Sequence, residues 1–148
     1  MRVLLDTNIV IDGLRKRPFD ETGLDMLEAM QAFGDVECWV SSKSCTDIFY
    51  VIRKEIGSAA AQDIIEESLT RMRLCSIDEQ DVKTALGKRW DDFEDCLVDV
   101  CAQKVKADFL ITRDVAGFER SRIPHGTASD FMAYVKETLN VEYAIGDI

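Results

Sequence analysis

The stretch VLLDTN, at residues 3–8, is a short apolar run that stops on an aspartate, Asp6. A second stretch, FLITRD at residues 109–114, has the same form and stops on Asp114. Short apolar runs between polar residues are typical of buried strands in a parallel sheet. Ligands of such sheets bind outside the carboxyl ends of the strands. Because an unpaired carboxylate beside a buried strand is costly, we expect Asp6 and Asp114 to serve one site if their strands are neighbours.

Strand-like runs alternate with helical stretches of ten or more residues along the chain. Further strand patterns occupy residues 36–40 and 73–77, and residues 115–124 are predicted to form a loop. Strands separated by helices imply crossover connections and a parallel sheet. The 148 residues contain no linker, repeat or low-complexity segment, so a single domain over residues 1–148 is predicted. The predicted fold class is α/β, a three-layer sandwich with a mostly parallel central sheet and helices on both faces.

The composition, 47% hydrophobic and 31% charged, is that of an ordinary globular protein. No apolar run approaches the roughly 20 residues needed to cross a bilayer. The first strand begins at Val3, which leaves no room for a signal peptide, so the sequence predicts a cytoplasmic protein. The five cysteines are odd in number and lack CxxC spacing, which favours buried thiols over disulfides or a zinc site. They are Cys38, Cys45, Cys75, Cys96 and Cys101.

The net charge is −10 and the pI is near 4.6. This acidic balance counts against an ordinary nucleic-acid-binding protein, which usually carries a basic footprint. It favours partners that bring positive charge, such as metal ions or a basic protein. A role on nucleic acid therefore requires that bound cations first reverse the charge of the contact surface.

A third candidate carboxylate is Asp95, in the stretch DDFED at residues 91–95. Asp92 and Asp95 are three residues apart, so they share one face of a predicted helix close to its start. Favourable interaction with the helix dipole is enough to explain Asp92. It explains Asp95 less well, because Asp95 stands between Phe93 and Leu97, which are both predicted to face the core.

The fourth candidate is Asp47, within the helical stretch SSKSCTDIFYVIRK at residues 41–54. Aspartate is a poor residue for the middle of a helix, although a solvent-facing position remains an alternative to a site. Four converging carboxylates repel one another unless they are protonated or neutralised by cations. Hard divalent cations take oxygen ligands, and such a site activates water for in-line attack at phosphorus. The pattern therefore indicates metal-dependent chemistry on a phosphate ester.

Several further residues have two interpretations. Thr7 or Asn8 is predicted to cap the first helix. The basic run at residues 15–17 either complements a helix dipole or attracts phosphate. Trp39 is predicted to lie in the core, whereas Trp90 is assigned equally to packing and to contact with a nucleobase.

Together, LLDTNIVID at residues 4–12 and DFEDCLVDVCAQKVKADFLITRD at residues 92–114 resemble the PIN-domain nucleases. The resemblance extends over roughly residues 2 to 135 and is nearest to the toxin ribonucleases of the VapC kind. It implies a PIN-like sandwich that binds Mg2+ or Mn2+ through carboxylates and acts as an RNA endonuclease. The family's acidic positions correspond to Asp6, Asp47, Asp95 and Asp114.

The resemblance implies that Asp6, Asp95 and Asp114 ligate the metal directly. Asp47 is one methylene shorter than the glutamate common at its position, so it is expected to reach the metal through water. Other positions are implied to orient the acids or to contact the substrate. They are Thr7, Asn8 and Thr112, with Asp92 as an additional metal ligand or a supporting group. Apart from the resemblance, Arg113 stands next to Asp114 and is expected to pair with a carboxylate of the cleft, with contact to phosphate as the alternative.

The resemblance also implies a homodimer and a small antitoxin whose basic residues enter the cleft. An acidic cleft suits an arginine-bearing segment, because arginine pairs with carboxylates through two parallel hydrogen bonds. The alternative is a PIN-like module that binds RNA or protein without catalysis. Phosphoryl chemistry on aspartate is disfavoured, because Asp6 is followed by Thr7 and Asn8 rather than by a second acid. The RNA cleaved, the number of metal ions and the oligomeric state stay open at this stage.

Overall fold

The computed structural model describes residues 1–15 and 21–142. Lys16 and Arg17, of the basic run considered above, lie outside this range. The strands are β1 (Arg2–Leu5), β2 (Glu37–Ser41), β3 (Arg73–Cys75), β4 (Phe109–Ile111) and β5 (His125–Gly126). The helices are α1 (Thr7–Arg15), α2 (Glu21–Ala32), α3 (Ser42–Ile56), α4 (Ser58–Ser68), α5 (Glu79–Lys88), α6 (Phe93–Lys104) and α7 (Ala128–Leu139), with a 3-10 helix at Ala116–Phe118.

The five strands form one sheet in the order β3-β2-β1-β4-β5. All pairings between neighbouring strands are parallel. The chain builds the sheet outward from β1 to β3 and then crosses to the other side of β1 to add β4 and β5. Leu5 pairs with Ile111 across β1 and β4, so the strands that precede Asp6 and Asp114 are adjacent. The reversal of strand order at this point creates a crevice at the carboxyl edge of the sheet.

Apolar side chains cover both faces of the sheet. On one face, Val3 and Leu5 of β1 pack in a cluster with residues of α1, α2, α3 and α7. On the other face, Leu4 and Leu110 pack against α6 and Phe118. A smaller cluster around Ala85 joins α5 to α6. This alternation along β1 confirms the predicted α/β sandwich with helices on both faces.

The first helix begins immediately after β1. The amide of Ile9 donates to the carbonyl oxygen of Asp6 at 3.0 Å, and the helix starts at Thr7. The residue before the helix is therefore Asp6, and the prediction that Thr7 or Asn8 caps it is wrong. Since a four-residue strand feeds directly into the helix, the Asp6 side chain is held at the junction of both elements.

Two other local predictions are also wrong. Phe93 does not face the core but is 42% exposed, because Asp92 caps α6 and Phe93 begins it. Residues 115–124 are not wholly loop, since they include the 3-10 helix.

Trp39, which was predicted to lie in the core, is half-buried and packs at the edge of the core. Its indole nitrogen donates a hydrogen bond to Glu37 Oε1 at 2.7 Å.

Within the described residues, all five cysteines are free thiols, and four of them are buried. The same residues include no helix that is long and apolar enough to cross a membrane. The thiols act as small apolar residues in the packing, as the sequence predicts.

Candidate functional site

Asp6 lies at the carboxyl end of the central strand, with only 6% of its surface exposed. Its Oδ1 accepts a hydrogen bond from the Thr7 amide at 2.8 Å. Its Oδ2 accepts from Thr112 Oγ1 at 2.8 Å and from Asn8 Nδ2 at 3.1 Å. These donors are neutral, so they orient the carboxyl group of Asp6, which is buried and fixed at the crevice.

Asp95 and Asp114 meet above Gly117. A Cβ atom built on Gly117 would lie 2.5 Å from Asp114 Oδ2 and 2.5 Å from Asp95 Oδ2, far inside van der Waals contact. The two carboxylate oxygens therefore approach a single point, which only a residue without a side chain leaves open. The Gly117 amide donates to Asp114 Oδ1 at 3.1 Å. Asp95 Oδ2 is buried, and no amide, hydroxyl or cationic group donates a hydrogen bond to it.

Crowding of these anions changes their acidity. Burial, followed by the charges of Asp92, Asp6 and Asp114 and by a hydrogen bond between the carboxyl groups of Asp95 and Asp114, raises the pKa of Asp95 to about 7. Such a shift follows from removing a carboxylate from water and placing other carboxylates beside it. The site therefore favours a proton or a cation at Asp95 near neutral pH.

The pKa of Asp6 is also raised, chiefly by burial. Hydrogen bonds from Thr112 and from the Thr7 amide oppose the rise, because they stabilise the ionised form. The charges of Glu94 and Asp114 increase it further. The pKa of Asp6 therefore depends on carboxylates that reach the crevice from α6 and from the loop after β4.

Asp47 is held by a cation on its own helix. Lys43 Nζ lies 2.7 Å from Asp47 Oδ2, one turn away on α3. The same ammonium lies 3.4 Å from Glu94 Oε2 on α6. Burial lowers the pKa of Lys43, but the hydrogen bond and charge of Asp47, together with Glu94, outweigh that effect and raise it overall. Lys43 is therefore a charged bridge between two helices that border the crevice.

Arg113 was predicted to pair with a carboxylate of the cleft, but its partner is Asp12, which does not line the cleft. Arg113 Nε lies 2.9 Å from Oδ2 of Asp12, whose side chain is fully buried on α1. The Arg113 amide also donates to Asn8 Oδ1 at 3.3 Å. Residues of the first helix thus hold the segment that leads from β4 to Asp114.

Thr7, Asp92 and Trp90, which the sequence analysis also singled out, make structural contacts around the crevice. The Thr7 hydroxyl lies 2.7 Å from Ser44 Oγ and links α1 to α3. Asp92 caps α6, because its Oδ1 accepts from the Asp95 amide at 3.0 Å. Trp90 packs edge-to-face on Phe118, with ring centroids 6.1 Å apart, which favours its packing interpretation.

The crevice is an open cleft of about 400 Å³ that contains all four predicted acids. Its lining residues are Asp6, Thr7, Asn8, Ile11, Arg15, Asp47, Val51, Glu94, Asp95, Arg113 and Asp114. In the described part of the chain, no three acidic, thiol or imidazole groups stand arranged around one metal position. Repulsion between ionised carboxylates opposes such an arrangement.

The family model for the PIN domain matches residues 2–116. The chain belongs to the PIN domain family. The match includes β1, the acidic helix α6 and the β4 segment, so every predicted acid of this PIN domain lies within it. No curated protein sequence matches the chain significantly.

Solved structures share the fold of this PIN domain. VapBC-1 from nontypeable Haemophilus influenzae aligns with a TM-score of 0.68 at 20% identity, over 87% of this chain and 99% of that one. VapBC2 from Rickettsia felis, bound to a promoter DNA fragment, aligns at 0.63 with 19% identity over 84% and 97%. A toxin–antitoxin complex from Klebsiella pneumoniae aligns at 0.55 with 23% identity over 79% and 90%. At these identities, the likeness concerns the fold.

The sequence interpretation did not single out Asp12, Lys43, Glu94 or Gly117 as residues at or near the site. Asp12 had a signal, since it is a charged residue in the apolar stretch IVIDGL and lies four positions after Asn8 on one helix face. Glu94 resembled an ordinary acidic residue of a helix first turn. The sequence predicts a loop at Gly117, and its neighbouring residues do not indicate that it lies against the carboxylates of Asp95 and Asp114.

Proposed function

We propose that this PIN domain is a divalent-metal-dependent endoribonuclease. The observation that carries the proposal is the meeting of Asp95 and Asp114 above Gly117, beside the buried Asp6. A buried carboxylate oxygen without a donor, at a point that two carboxylates share, fits a hard cation better than a hydrogen-bond network. Asp6, Asp95 and Asp114 would hold Mg2+ or Mn2+. Once bound, that cation supplies an activated water and stabilises charge on the phosphate.

The protein's own groups prepare this site. Thr112 and Asn8 fix the orientation of Asp6, and the Gly117 amide fixes Asp114. Such supporting hydrogen bonds keep ligands in place before the cation arrives. Asp47 is assigned an indirect role, because its carboxylate is engaged by Lys43. Asp92 positions Asp95 by capping α6.

The acidity of the protein bears on how RNA binds. With a net charge of −10, the chain repels a phosphate backbone until cations occupy the cleft. Cation binding therefore precedes RNA binding, and binding weakens as salt rises because released counterions drive it. An RNA substrate is also consistent with a cytoplasmic location.

The first test combines binding and cleavage. Calorimetry should detect Mn2+ binding to the wild type, and the same buffer should support cleavage of a mixed RNA substrate. The Asp6→Asn variant should stay folded but lose both Mn2+ binding and RNA cleavage. Asp63→Asn is a matched control, because Asp63 is exposed on α4 and does not line the cleft. A folded wild type that binds no Mn2+ and cuts no RNA would leave the noncatalytic binding module as the better account.

We further propose that the protein is the toxin of a toxin–antitoxin pair and forms a homodimer. The support is the shared fold with structures described as VapBC and toxin–antitoxin complexes. The acidic cleft suits an antitoxin segment that carries arginine, since each guanidinium would satisfy a carboxylate. Such a segment should inhibit cleavage, and replacement of its arginines by alanine should restore activity. Light scattering would measure the dimer.

A further inference from the structure

Lys43 lies behind the lining of the cleft and contacts two of the acids that line it. Its ammonium lies within 2.7 Å of Asp47 on α3 and 3.4 Å of Glu94 on α6. Helix α3 packs on one face of the sheet through Ile48, whereas α6 packs on the other through Val98. Lys43 therefore spans the carboxyl edge of the sheet and joins its two helical layers.

We propose that Lys43 takes the place of a second divalent cation, so that this PIN domain works with one metal ion and one lysine. The proposal rests on the metal-dependent function proposed above. Asp6, Asp95 and Asp114 would form the first cation position once a cation binds, and Asp47 with Glu94 would form a second. Lys43 fills the second position and neutralises its charge.

The charges of the cleft support this assignment. Five carboxylates line it, those of Asp6, Asp47, Glu94, Asp95 and Asp114. The two arginines of the lining are engaged with other acids, since Arg15 pairs with Glu55 and Arg113 pairs with Asp12. Within the described residues, Lys43 is the cation paired with two of the five lining acids.

Stability alone does not account for the Lys43 bridge. The side chains of Lys43, Asp47 and Glu94 are 39%, 33% and 55% exposed, and ion pairs this exposed contribute little to the stability of a fold. The geometry suits substrate binding better. A lysine ammonium has three N–H donors. Two of them face the carboxylates, which leaves the third for a phosphate oxygen of the RNA.

The same contact explains the aspartate at position 47. Asp47 is short, and Lys43 is four residues before it on the same helix, so the pair closes locally. The Asp47 carboxylate is engaged by the Lys43 ammonium at 2.7 Å. The short side chain is therefore matched to a lysine and not to direct ligation of a metal.

Metal stoichiometry provides the decisive experiment. Calorimetric titration with Mn2+ should give one ion per chain for the wild type. Lys43→Met should bind a second, weaker ion, and Lys43→Met/Glu94→Gln should lose it again. Lys83→Met is the matched control, because Lys83 forms the same i,i+4 pair with Glu79 at 2.6 Å on α5, outside the cleft. The control should keep one ion.

Cleavage rates provide the second readout. At Mn2+ concentrations that saturate only the first position, Lys43→Met should cleave RNA about 100-fold more slowly, as for loss of one electrostatic contact to a reacting phosphate. Excess Mn2+ should restore much of the rate, and the dependence on Mn2+ should change from first to second order. A merely structural lysine would not produce this rescue.

Three results would overturn the proposal. One is a wild type that binds two ions, and another is a Lys43→Met variant that keeps one ion and the wild-type rate. The third is a rate loss in Lys43→Met that excess Mn2+ does not restore. In all three, wild-type cleavage with Mn2+ would leave the nuclease function standing. A wild type that binds no Mn2+ and cleaves nothing would remove the function and this inference together.

Discussion

Thr112 Oγ1 donates a hydrogen bond of 2.8 Å to Asp6 Oδ2, across 106 residues of sequence. Thr112 Oγ1 also accepts a hydrogen bond from the amide of Asp114 at 3.0 Å. One buried hydroxyl therefore couples the aspartate that follows β1 to the aspartate that follows β4. The positions of Asp6 and Asp114 are coupled, because their strands are adjacent and the Thr112 hydroxyl contacts the side chain of one and the backbone of the other.

Thr112→Val should impair the site without changing its shape. The substitution removes the donor to Asp6, and because that hydrogen bond lowers the pKa of Asp6, the pKa should rise further. We expect the limb of the cleavage–pH profile that reports deprotonation to move to higher pH, with roughly tenfold slower cleavage below it. Thr112→Ser keeps the hydroxyl and serves as the control. Equal pH profiles for the valine and serine variants would contradict the assigned role.

Gly117→Ala should weaken metal binding. Its new Cβ would meet Asp95 and Asp114 oxygens at 2.5 Å, so both carboxylates must move apart. We expect Mn2+ affinity to fall by about 10- to 100-fold, as when supporting contacts of a metal site are lost. Gly87→Ala on α5 is the control, because its Cβ meets nothing within 4 Å. It should keep metal affinity and gain about 0.5–1 kcal/mol of stability. Equal Mn2+ affinities in the two variants would refute the steric argument.

The metal-free protein should lose stability as pH rises. The pKa of Asp95 is about 7 in the folded chain, against about 3.9 when unfolded. The folded state therefore holds the proton more tightly, so this contribution is full below about pH 4 and is lost as pH rises through about 7.

We expect a decrease of roughly 1–2 kcal/mol in the free energy of unfolding between about pH 4 and pH 8, after allowance for solvent screening. Urea unfolding in a chelating buffer would measure it across that range. Asp95→Asn should show a flatter dependence, because its amide does not titrate. An unchanged slope in Asp95→Asn would show that other groups cause the pH dependence. Mn2+ should restore stability at high pH through its preference for the folded state.

Arg113→Met should destabilise the fold. It leaves the fully buried carboxylate of Asp12 without its cation, and breaking such a pair typically costs about 3–5 kcal/mol. The double variant Asp12→Asn/Arg113→Met should recover part of that loss, since no buried charge remains. Thermal unfolding of the two variants and the wild type would measure both effects. A double variant that is less stable than Arg113→Met would contradict the explanation.

Much of the fold was predictable because its signals are local. Apolar runs such as the one before Asp6 mark buried strands, and the alternation of strands with helices implies parallel pairing. Local signals failed where elements are short or where one residue changes the register. The two-residue strand β5 has too little pattern to detect, and Phe93 was assigned to the core although it begins α6 and is exposed.

The candidate site was predictable in part. Asp6 and Asp114 were evident as charges that end buried strands, and Asp95 as an acid between apolar residues. Glu94 and Lys43 were not evident, because an acidic helix start and a surface lysine are common features. Their importance depends on the distance between α3 and α6, which the sequence of neither helix contains. The single-domain prediction for residues 1–148 stays a prediction.

The sequence by itself determined most of the helices and strands, the parallel sheet and the family, because hydrophobic periodicity and motif spacing are properties of neighbouring residues. Only the tertiary structure decided which groups meet. The adjacency of β1 and β4 joins Asp6 to Thr112, the bare backbone of Gly117 admits Asp95 and Asp114 together, and Lys43 reaches both helical layers. The physical reason is that charge interactions and steric exclusion depend on distance in space, and residues about a hundred positions apart become neighbours only when the sheet forms.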